Sequence, residues 1–260
     1  MWMAAMTRWK GRESLELLRA TVARIERGAA ARGGVLPLGV AAIDAALEEG
    51  GLRAGALHEV AGPAADGFAA VLAGRLAARD GGTVLWCAAG QGRGALHPPG
   101  LAMLGLEAAR LLLVRCRNQV DVLAAAEEGL RTAGLAAVVA EPARPPGMAA
   151  ARRLQLAAET GGVTGFLLCP GAARRHGANA PGAMAPDSGA GAGSTKVEHT
   201  PDFLPPSPAV SRWHADHAPG GGRLRWRLAL LRCRGGGSGQ WMVDWDEKTH
   251  RLAVVPPAGD

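Results

Sequence analysis

The sequence predicts an α/β fold with a mostly parallel central sheet flanked by helices and with antiparallel strands at its C-terminal end. The first observation is the alternation of short apolar runs with helical segments, because parallel strands buried on both faces read as continuous apolar runs. The second is a glycine-bearing turn from strand to helix at residues 59–70. The third is a C-terminal block in which three alternating runs are separated by turn residues, which is typical of antiparallel strands.

The order of the elements follows from periodicity and from helix-capping signals. Residues 14–27 carry apolar side chains at helical spacing and predict an amphipathic helix within an N-terminal segment, residues 1–32. The core is predicted for residues 33–170, where short helices separate the strand-like runs ALHEVAG, TVLWCAA, ARLLLVRC, AAVVAEP and VTGFLLCPG. The helix after the glycine turn is expected to begin with the run FAAVLAG.

The periodicity fails at residues 171–222, which are rich in Gly, Ala, Pro, Ser and His. Such a composition buries too little apolar surface to offset the conformational entropy of ordering, so we predict a long disordered loop there. Order is expected to resume at residues 223–260, whose strands complete the core. The sequence therefore divides into an N-terminal helix, a core, a flexible loop and a closing set of strands.

Composition limits the kinds of partner, the chemistry of the cysteines and the location that we expect. The formal net charge of +6 comes almost wholly from arginine, because only three of the basic residues are lysines, and it favours a nucleic-acid or acidic protein partner only weakly. Cys87, Cys116, Cys169 and Cys233 lie far apart in apolar runs, so we expect reduced, buried thiols rather than a metal or redox site. No apolar run approaches the length of a membrane span, and we expect a cytoplasmic protein without membrane contact.

The segment EVAGPAADGFAA has the outline of a phosphate-binding loop. Such a loop reads Gly, four residues, Gly, Lys, then Ser or Thr. Gly62 and Gly67 stand at the glycine positions, with Pro63 following the first, but Phe68 occupies the lysine position and Ala69 the hydroxyl position. The two side chains that would oppose phosphate charge and bind Mg²⁺ are therefore both replaced by apolar groups.

The run LPLGVAAIDAALEEGGLRAGALHEVAGPAADG resembles the opening of the RecA-like recombinase core in the spacing of its glycine, leucine and acidic residues. Within that superfamily the chain resembles the ImuA family, whose members end in a similar Arg- and Trp-bearing strand pair to RWRLALLRCRGGGSGQWMVDWDEKTHRL. The resemblance implies an accessory protein of SOS-induced translesion synthesis. The partners it implies are an ImuB-type inactive relative of Y-family polymerases and an error-prone C-family DNA polymerase, with RecA and DNA as further candidates.

The same resemblance indicates where the acidic residues needed for ATP hydrolysis would lie. The general-base glutamate of RecA-like ATPases would align near Gly90, where the sequence has no carboxylate, and Asp66 adds a negative charge within the loop. Glu141 matches the position of the acidic residue that handles Mg²⁺. We therefore expect a degenerate nucleotide-binding loop, no catalytic residue, no enzymatic activity and no cofactor, with nucleotide binding without turnover as the alternative.

Other candidate contacts lie near the C-terminus. Arg223, Arg225 and Arg227 alternate with apolar residues and are expected on one face of a strand, as DNA contacts or as a solvated face. Trp241 and Trp245 are candidates for partner contacts, with packing in the core as the alternative. His214, Asp216 and His217 lie in the predicted loop without a supporting ligand pair, so we expect no metal site there.

Two other functions remain open at this point. One is a DNA-stimulated RecA-like ATPase, which the replacements at residues 68 and 69 disfavour. The other is a cell-division inhibitor of the SulA type, which shares a related fold but is shorter. The leading hypothesis is a catalytically inactive RecA-like protein that acts as a scaffold through protein contacts.

Overall fold

The structure is a computed structural model, and it describes residues 34–89, 96–169 and 206–255. A small antiparallel pair, β1 (Val35–Leu36) and β2 (Leu52–Arg53), brackets the short helix α1 (Ala41–Asp44) and a 3-10 turn at Glu48–Gly50. The predicted N-terminal helix and most of the predicted loop lie outside the described residues. The predictions for those segments therefore stay predictions.

The elements of the core alternate as the sequence indicates. They are β3 (Leu57–Ala61), α2 (Ala65–Asp80), β4 (Thr83–Ala89), α3 (Pro98–Met103), β5 (Leu111–Cys116), α4 (Gln119–Arg131), β6 (Leu135–Glu141), α5 (Met148–Gly161) and β7 (Thr164–Cys169). A 3-10 turn at Ala108–Arg110 leads into β5, and the sequence did not predict α3. Both glycines that end α2 and α5, Gly81 and Gly162, adopt the left-handed conformation that closes a helix.

The last four strands are β8 (Ser211–Ala218), β9 (Arg225–Cys233), β10 (Gly239–Asp246) and β11 (Arg251–Val254). Within the described residues one nine-stranded sheet has the order β11-β10-β9-β8-β3-β7-β6-β4-β5. The strands from β8 to β5 in this order pair in parallel, whereas β9, β10 and β11 pair antiparallel. The predicted mostly parallel sheet with antiparallel C-terminal strands is confirmed.

Two apolar layers cover the sheet. On one face α2 packs with α3 against the sheet, and Phe68, Leu72 and Leu76 of α2 are fully buried. On the other face α4 and α5 cover β3, β4, β6 and β7 through Val122, Leu130 and Leu154. Because α2 is buried almost all around, its sequence is apolar on every side and lacks the polar face of a surface helix.

Two predictions about element bounds were wrong. The predicted disordered loop, residues 171–222, includes β8, which pairs in parallel with β3 and antiparallel with β9. These neighbours satisfy its backbone hydrogen bonds and bury Trp213 and Ala215 completely, so the strand is stabilised by partners distant in sequence. The helix α2 begins at Ala65, three residues before the predicted start at Phe68.

The structure shows how far each of the four cysteines is buried. Cys87, Cys116 and Cys169 are buried and free, whereas Cys233 is half-buried. Burial raises the pKa of the Cys87 and Cys169 thiols to about 12, so both stay protonated at neutral pH. Across the described ranges, no helix combines the length and the apolar character needed to cross a bilayer.

Candidate functional site

The turn that resembles a phosphate-binding loop is closed by a neighbouring strand. Only residues 62–64 separate the end of β3 from the start of α2. The backbone N–H of Ala64 donates to the carbonyl oxygen of Ala215 on β8, with the nitrogen and oxygen 3.0 Å apart. Gly62 has φ of 99°, and a Cβ there would overlap that same carbonyl oxygen. Glycine is therefore required at this position by the approach of β8, whether or not phosphate ever binds.

Two backbone N–H groups in the first turn of α2 also have protein acceptors. The N–H of Ala65 donates to the carbonyl of Gly62 at 3.2 Å, and the N–H of Gly67 donates to the Asp66 carboxylate at 2.9 Å. A phosphate-binding loop works because successive free N–H groups surround the phosphate. Here three such groups are already bonded, and the carboxylate of Asp66 adds a charge of the wrong sign at the start of the helix.

Phe68 lies where a phosphate-binding lysine would stand, and it belongs to the core. Its ring is fully buried and packs edge-on against Trp213 of β8 and Trp226 of β9, with ring centroids 5.4 Å and 6.3 Å away. Ala69 is also fully buried. The two positions that carry the charge and the metal-binding hydroxyl in a working loop are therefore packing positions in this chain.

Glu141 lies at the carboxyl end of β6, where the parallel strands β3, β6 and β7 all end. It is 8% exposed, and its carboxylate accepts a hydrogen bond of 3.3 Å from the indole N–H of Trp86 on β4. Because β7 lies between β6 and β3, the backbone of Glu141 is roughly 10 Å from the glycine turn. The position of Gly90 lies outside the described residues, so the missing general base stays a prediction.

The arginine row is only partly a free basic surface. Arg225 and Arg227 lie on the same face of β9, opposite to the buried Trp226, as the alternation predicts. Arg225 makes two contacts with Asp244 of β10, at 2.5 Å and 2.9 Å, and these hydrogen bonds lower the pKa of Asp244. Arg223 precedes the strand, is exposed, and lies 4.0 Å from the same carboxylate. Arg227 is exposed opposite Asp216 of β8, so acidic neighbours offset much of the row's charge.

The two candidate tryptophans have different environments. Trp245 is 3% exposed and its indole N–H donates to the carbonyl of Met103 at 2.9 Å, so it packs in the core and the prediction of a partner contact is wrong for it. Trp241 is half-buried, with its ring centroid 6.4 Å from that of Trp213. Only Trp241 keeps a surface that a partner could reach.

The histidine-containing segment lies on β8 rather than in a loop. His214 and Asp216 point to the same face, with Nδ1 3.5 Å from a carboxylate oxygen, whereas His217 faces the other way next to Trp226. Among the residues that the structure describes, no group of three or more His, Cys, Asp or Glu side chains is placed to hold a metal ion.

Sequence reasoning missed the part that β8 plays at the site. Trp213 packs on Phe68, and the carbonyl of Ala215 closes the turn. The signal was present, because Ser211, Trp213 and Ala215 alternate with polar residues at the period of a strand. The glycine- and proline-rich residues on both sides of this short run concealed it.

Comparison with solved structures defines the fold class. The fold is similar to the crystal structure of the RadB recombinase, with a TM-score of 0.55, 18% sequence identity, and coverage of 85% of this chain and 99% of that chain. At this identity the likeness shows the fold alone, and together with the strand order it defines a RecA-like α/β core. A scan against protein-family models finds no match.

Comparison with curated proteins defines the family. Two relatives named Protein ImuA, from two strains of Caulobacter vibrioides, are each 38% identical to this chain over 234 residues. The match covers 83% of this chain and 85% of each relative. The chain belongs to the ImuA family, as the glycine turn and the C-terminal strand block indicated.

Proposed function

We propose that this protein is a non-hydrolysing RecA-like accessory protein of SOS-induced translesion DNA synthesis, which works in the cytoplasm through protein contacts. The observation that carries the proposal is the closed glycine turn. The N–H of Ala64 is bonded to β8, and the ring of Phe68, at the lysine position, is buried against Trp213 and Trp226. Membership in the ImuA family supports the biological setting.

The chemistry of the turn disfavours nucleotide hydrolysis. A triphosphate bound here would lack the charge-assisted contact of a lysine, which contributes roughly 1.5–3 kcal/mol. It would also lack the Mg²⁺ hydroxyl ligand and would face the carboxylate of Asp66. Freeing the N–H of Ala64 for phosphate would require β8 to move away from the turn, and this movement would expose the ring of Phe68.

Membership in the ImuA family supports a set of expected partners. We expect contacts with an ImuB-type relative of Y-family polymerases, with an error-prone C-family polymerase and with RecA. DNA is a further candidate, through Arg223, Arg225 and Arg227. The offset charge of this row predicts a shallow dependence of any DNA affinity on salt, because few counterions would be released.

The nucleotide part of the proposal is tested by phosphate release from the purified full chain with ATP, Mg²⁺ and single-stranded DNA. We expect no turnover above the buffer control. Turnover that disappears in Glu141→Ala would establish the rival function, a DNA-stimulated ATPase.

The partner part is tested by a pull-down of purified ImuB-type protein and of RecA on the immobilised chain. We expect retention of at least one of them at micromolar concentration. If neither is retained, the scaffolding role is wrong. Filamentous growth on overexpression would instead favour the function of a division inhibitor.

A further inference from the structure

A cavity of about 480 Å³ lies at the amino ends of the parallel strands, where β3 and β7 begin. Its volume is in the range of small-ligand sites. Because β3 has five residues, the cavity is about 17 Å from the glycine turn at the other end of that strand. The residues that line it come from β1, β2, the 3-10 turn between them, the connection to β3 and the end of α5: Gly34, Val35, Glu48, Glu49, Arg53, Ala54, Gly55, Glu159 and Gly162.

Backbone contacts fix the shape of this cavity. The N–H of Gly55 donates to Oγ1 of Thr164 at 3.1 Å, and the N–H of Ala54 donates to the carbonyl of Gly34 at 2.9 Å. A Cβ at Gly55 would lie 3.3 Å from the Cα of Gly162, so the two backbones are in contact. The helix α5 ends here, and the last carbonyls of a helix carry a partial negative charge.

The charged side chains of the lining are mostly acidic. Three of them are carboxylates, Glu48, Glu49 and Glu159, and Arg53 is the one guanidinium. None of the four makes an ion pair with a described residue, and Glu159 accepts a hydrogen bond of 2.6 Å from the uncharged amide of Gln155. The chain as a whole carries a formal charge of +6, so the sign of the charge is reversed at this cavity.

One of these carboxylates lacks a hydrogen-bond donor. Oε2 of Glu48 is shielded from solvent and accepts no hydrogen bond from the residues that the structure describes. A buried carboxylate oxygen without a donor is costly, and native proteins almost always supply one. Because Glu48 lines the cavity, a ligand that carries N–H donors is placed to reach this carboxylate.

The spacing of the carboxylates selects the kind of cation. Within the described ranges, no three acidic, histidine or cysteine side chains converge closely enough to hold a metal ion. Separated carboxylates instead suit a cation whose N–H donors are spread over several atoms. A guanidinium group has five such donors and an ammonium group has three.

We infer that this cavity binds an organic cation, through ammonium or guanidinium groups that pair with Glu48, Glu49 and Glu159. Two sources carry this chemistry, a free polyamine and the basic side chains of a protein. The site is separate from the glycine turn and does not depend on the proposed scaffolding function.

The test is isothermal titration calorimetry of the full chain with two probes, spermidine and an acetylated, amidated di-arginine peptide. We expect saturable binding of one ligand per chain, with a Kd on the order of 0.1–1 mM at low salt, which weakens as the salt concentration rises. Binding of spermidine alone identifies a free polyamine, binding of the peptide alone identifies a protein side chain, and mutual competition identifies a site that takes both. Mg²⁺ at the same concentration is expected to compete at least about tenfold less well.

Variants locate the site. Glu49→Gly and Glu159→Gln are each expected to weaken binding at least about threefold, and the double variant at least about tenfold. Glu128→Gln removes an exposed carboxylate of α4 outside the cavity and should leave the affinity unchanged. Glu49 has φ of 55°, which glycine adopts without strain, so Glu49→Gly should keep the urea midpoint of the parent chain and its loss of binding would not reflect unfolding.

The lining arginine provides a test of sign. Arg53→Gln removes the positive charge from the cavity and is expected to tighten binding at least about twofold. The inference is overturned if neither probe binds, if the double variant binds as the parent chain does, if Glu128→Gln weakens binding as much as Glu49→Gly, or if Arg53→Gln weakens it. Retention of ImuB-type protein or RecA by the double variant tests the scaffolding role separately, because a chain that has lost the cation site is still expected to retain them.

Discussion

Replacing Phe68 by lysine restores the residue type of a working phosphate-binding loop, and we expect it to destabilise the protein without creating an ATPase. The ring of Phe68 is fully buried between Trp213 and Trp226. Removal of a buried phenylalanine ring costs about 3–5 kcal/mol, and each aromatic pair that is lost adds about 0.5–1.5 kcal/mol. A lysine ammonium placed there would have no acidic partner described in the cluster, which adds a desolvation cost.

The expected loss for Phe68→Lys is therefore about 5 kcal/mol or more, against a total stability of about 5–15 kcal/mol for typical domains. The measurement is urea unfolding followed by tryptophan fluorescence, because the tryptophans of the cluster report on its packing. Phe68→Leu keeps an apolar side chain and should lose roughly 1–2 kcal/mol. Val120→Lys places the same charge at a position that is 74% exposed and should change stability by less than about 0.5 kcal/mol.

Activity is measured on whatever fraction of Phe68→Lys stays folded, by phosphate release with ATP and Mg²⁺. No turnover is expected, because the N–H of Ala64 stays bonded to Ala215 and Ala69 still provides no hydroxyl for the metal. The reasoning is refuted if Phe68→Lys unfolds at the urea concentration of the parent chain, or if it hydrolyses ATP.

Further predictions concern stability, pH and thiol reactivity. His58 is fully buried, and burial lowers its pKa to about 4; its unfolded pKa is about 6.5, so between these values the unfolded state binds a proton that the folded state does not. The stabilisation of the folded state by neutral His58 is fully present above pH 6.5 and falls by up to roughly 3 kcal/mol as the pH drops to 4. The free energy of unfolding, measured with urea, should therefore change less between pH 7 and pH 5 for His58→Gln than for the parent chain. Gly62→Ala should lose more stability than Gly34→Ala in the same assay. Both residues have positive φ, but a new Cβ would meet the backbone of β8 at Gly62, whereas nothing lies within 4 Å of a new Cβ at Gly34. Equal losses would contradict the role of β8. A thiol reagent at neutral pH should modify Cys233 in the folded chain and the other three cysteines only after unfolding, and fast modification of a second thiol would contradict their burial.

Much of the fold was predictable because its signals are local. The strands β4, β6 and β7 are buried on both faces and read as continuous apolar runs, whereas α4 and α5 show helical periodicity. The C-terminal strands were predictable because glycine-rich and acidic turn residues separate their alternating runs. For β8 the sequence was insufficient, because its strand conformation depends on pairing with β3 and β9, which lie far away in the chain.

The sequence by itself determined which residues occupy the phosphate-loop positions. It showed that Phe68 and Ala69 replace the lysine and the hydroxyl, and that the chain resembles the ImuA family. These conclusions depend on identity and spacing alone, which the primary structure carries in full.

Only the tertiary structure decided which contacts the residues of the turn make. It brought the carbonyl of Ala215 to the N–H of Ala64, placed the ring of Phe68 between two tryptophans, and paired Arg225 with Asp244. Each of these contacts joins segments that are separate along the chain. Their geometry follows from strand order and register, and both of these are set by the packing of the whole sheet.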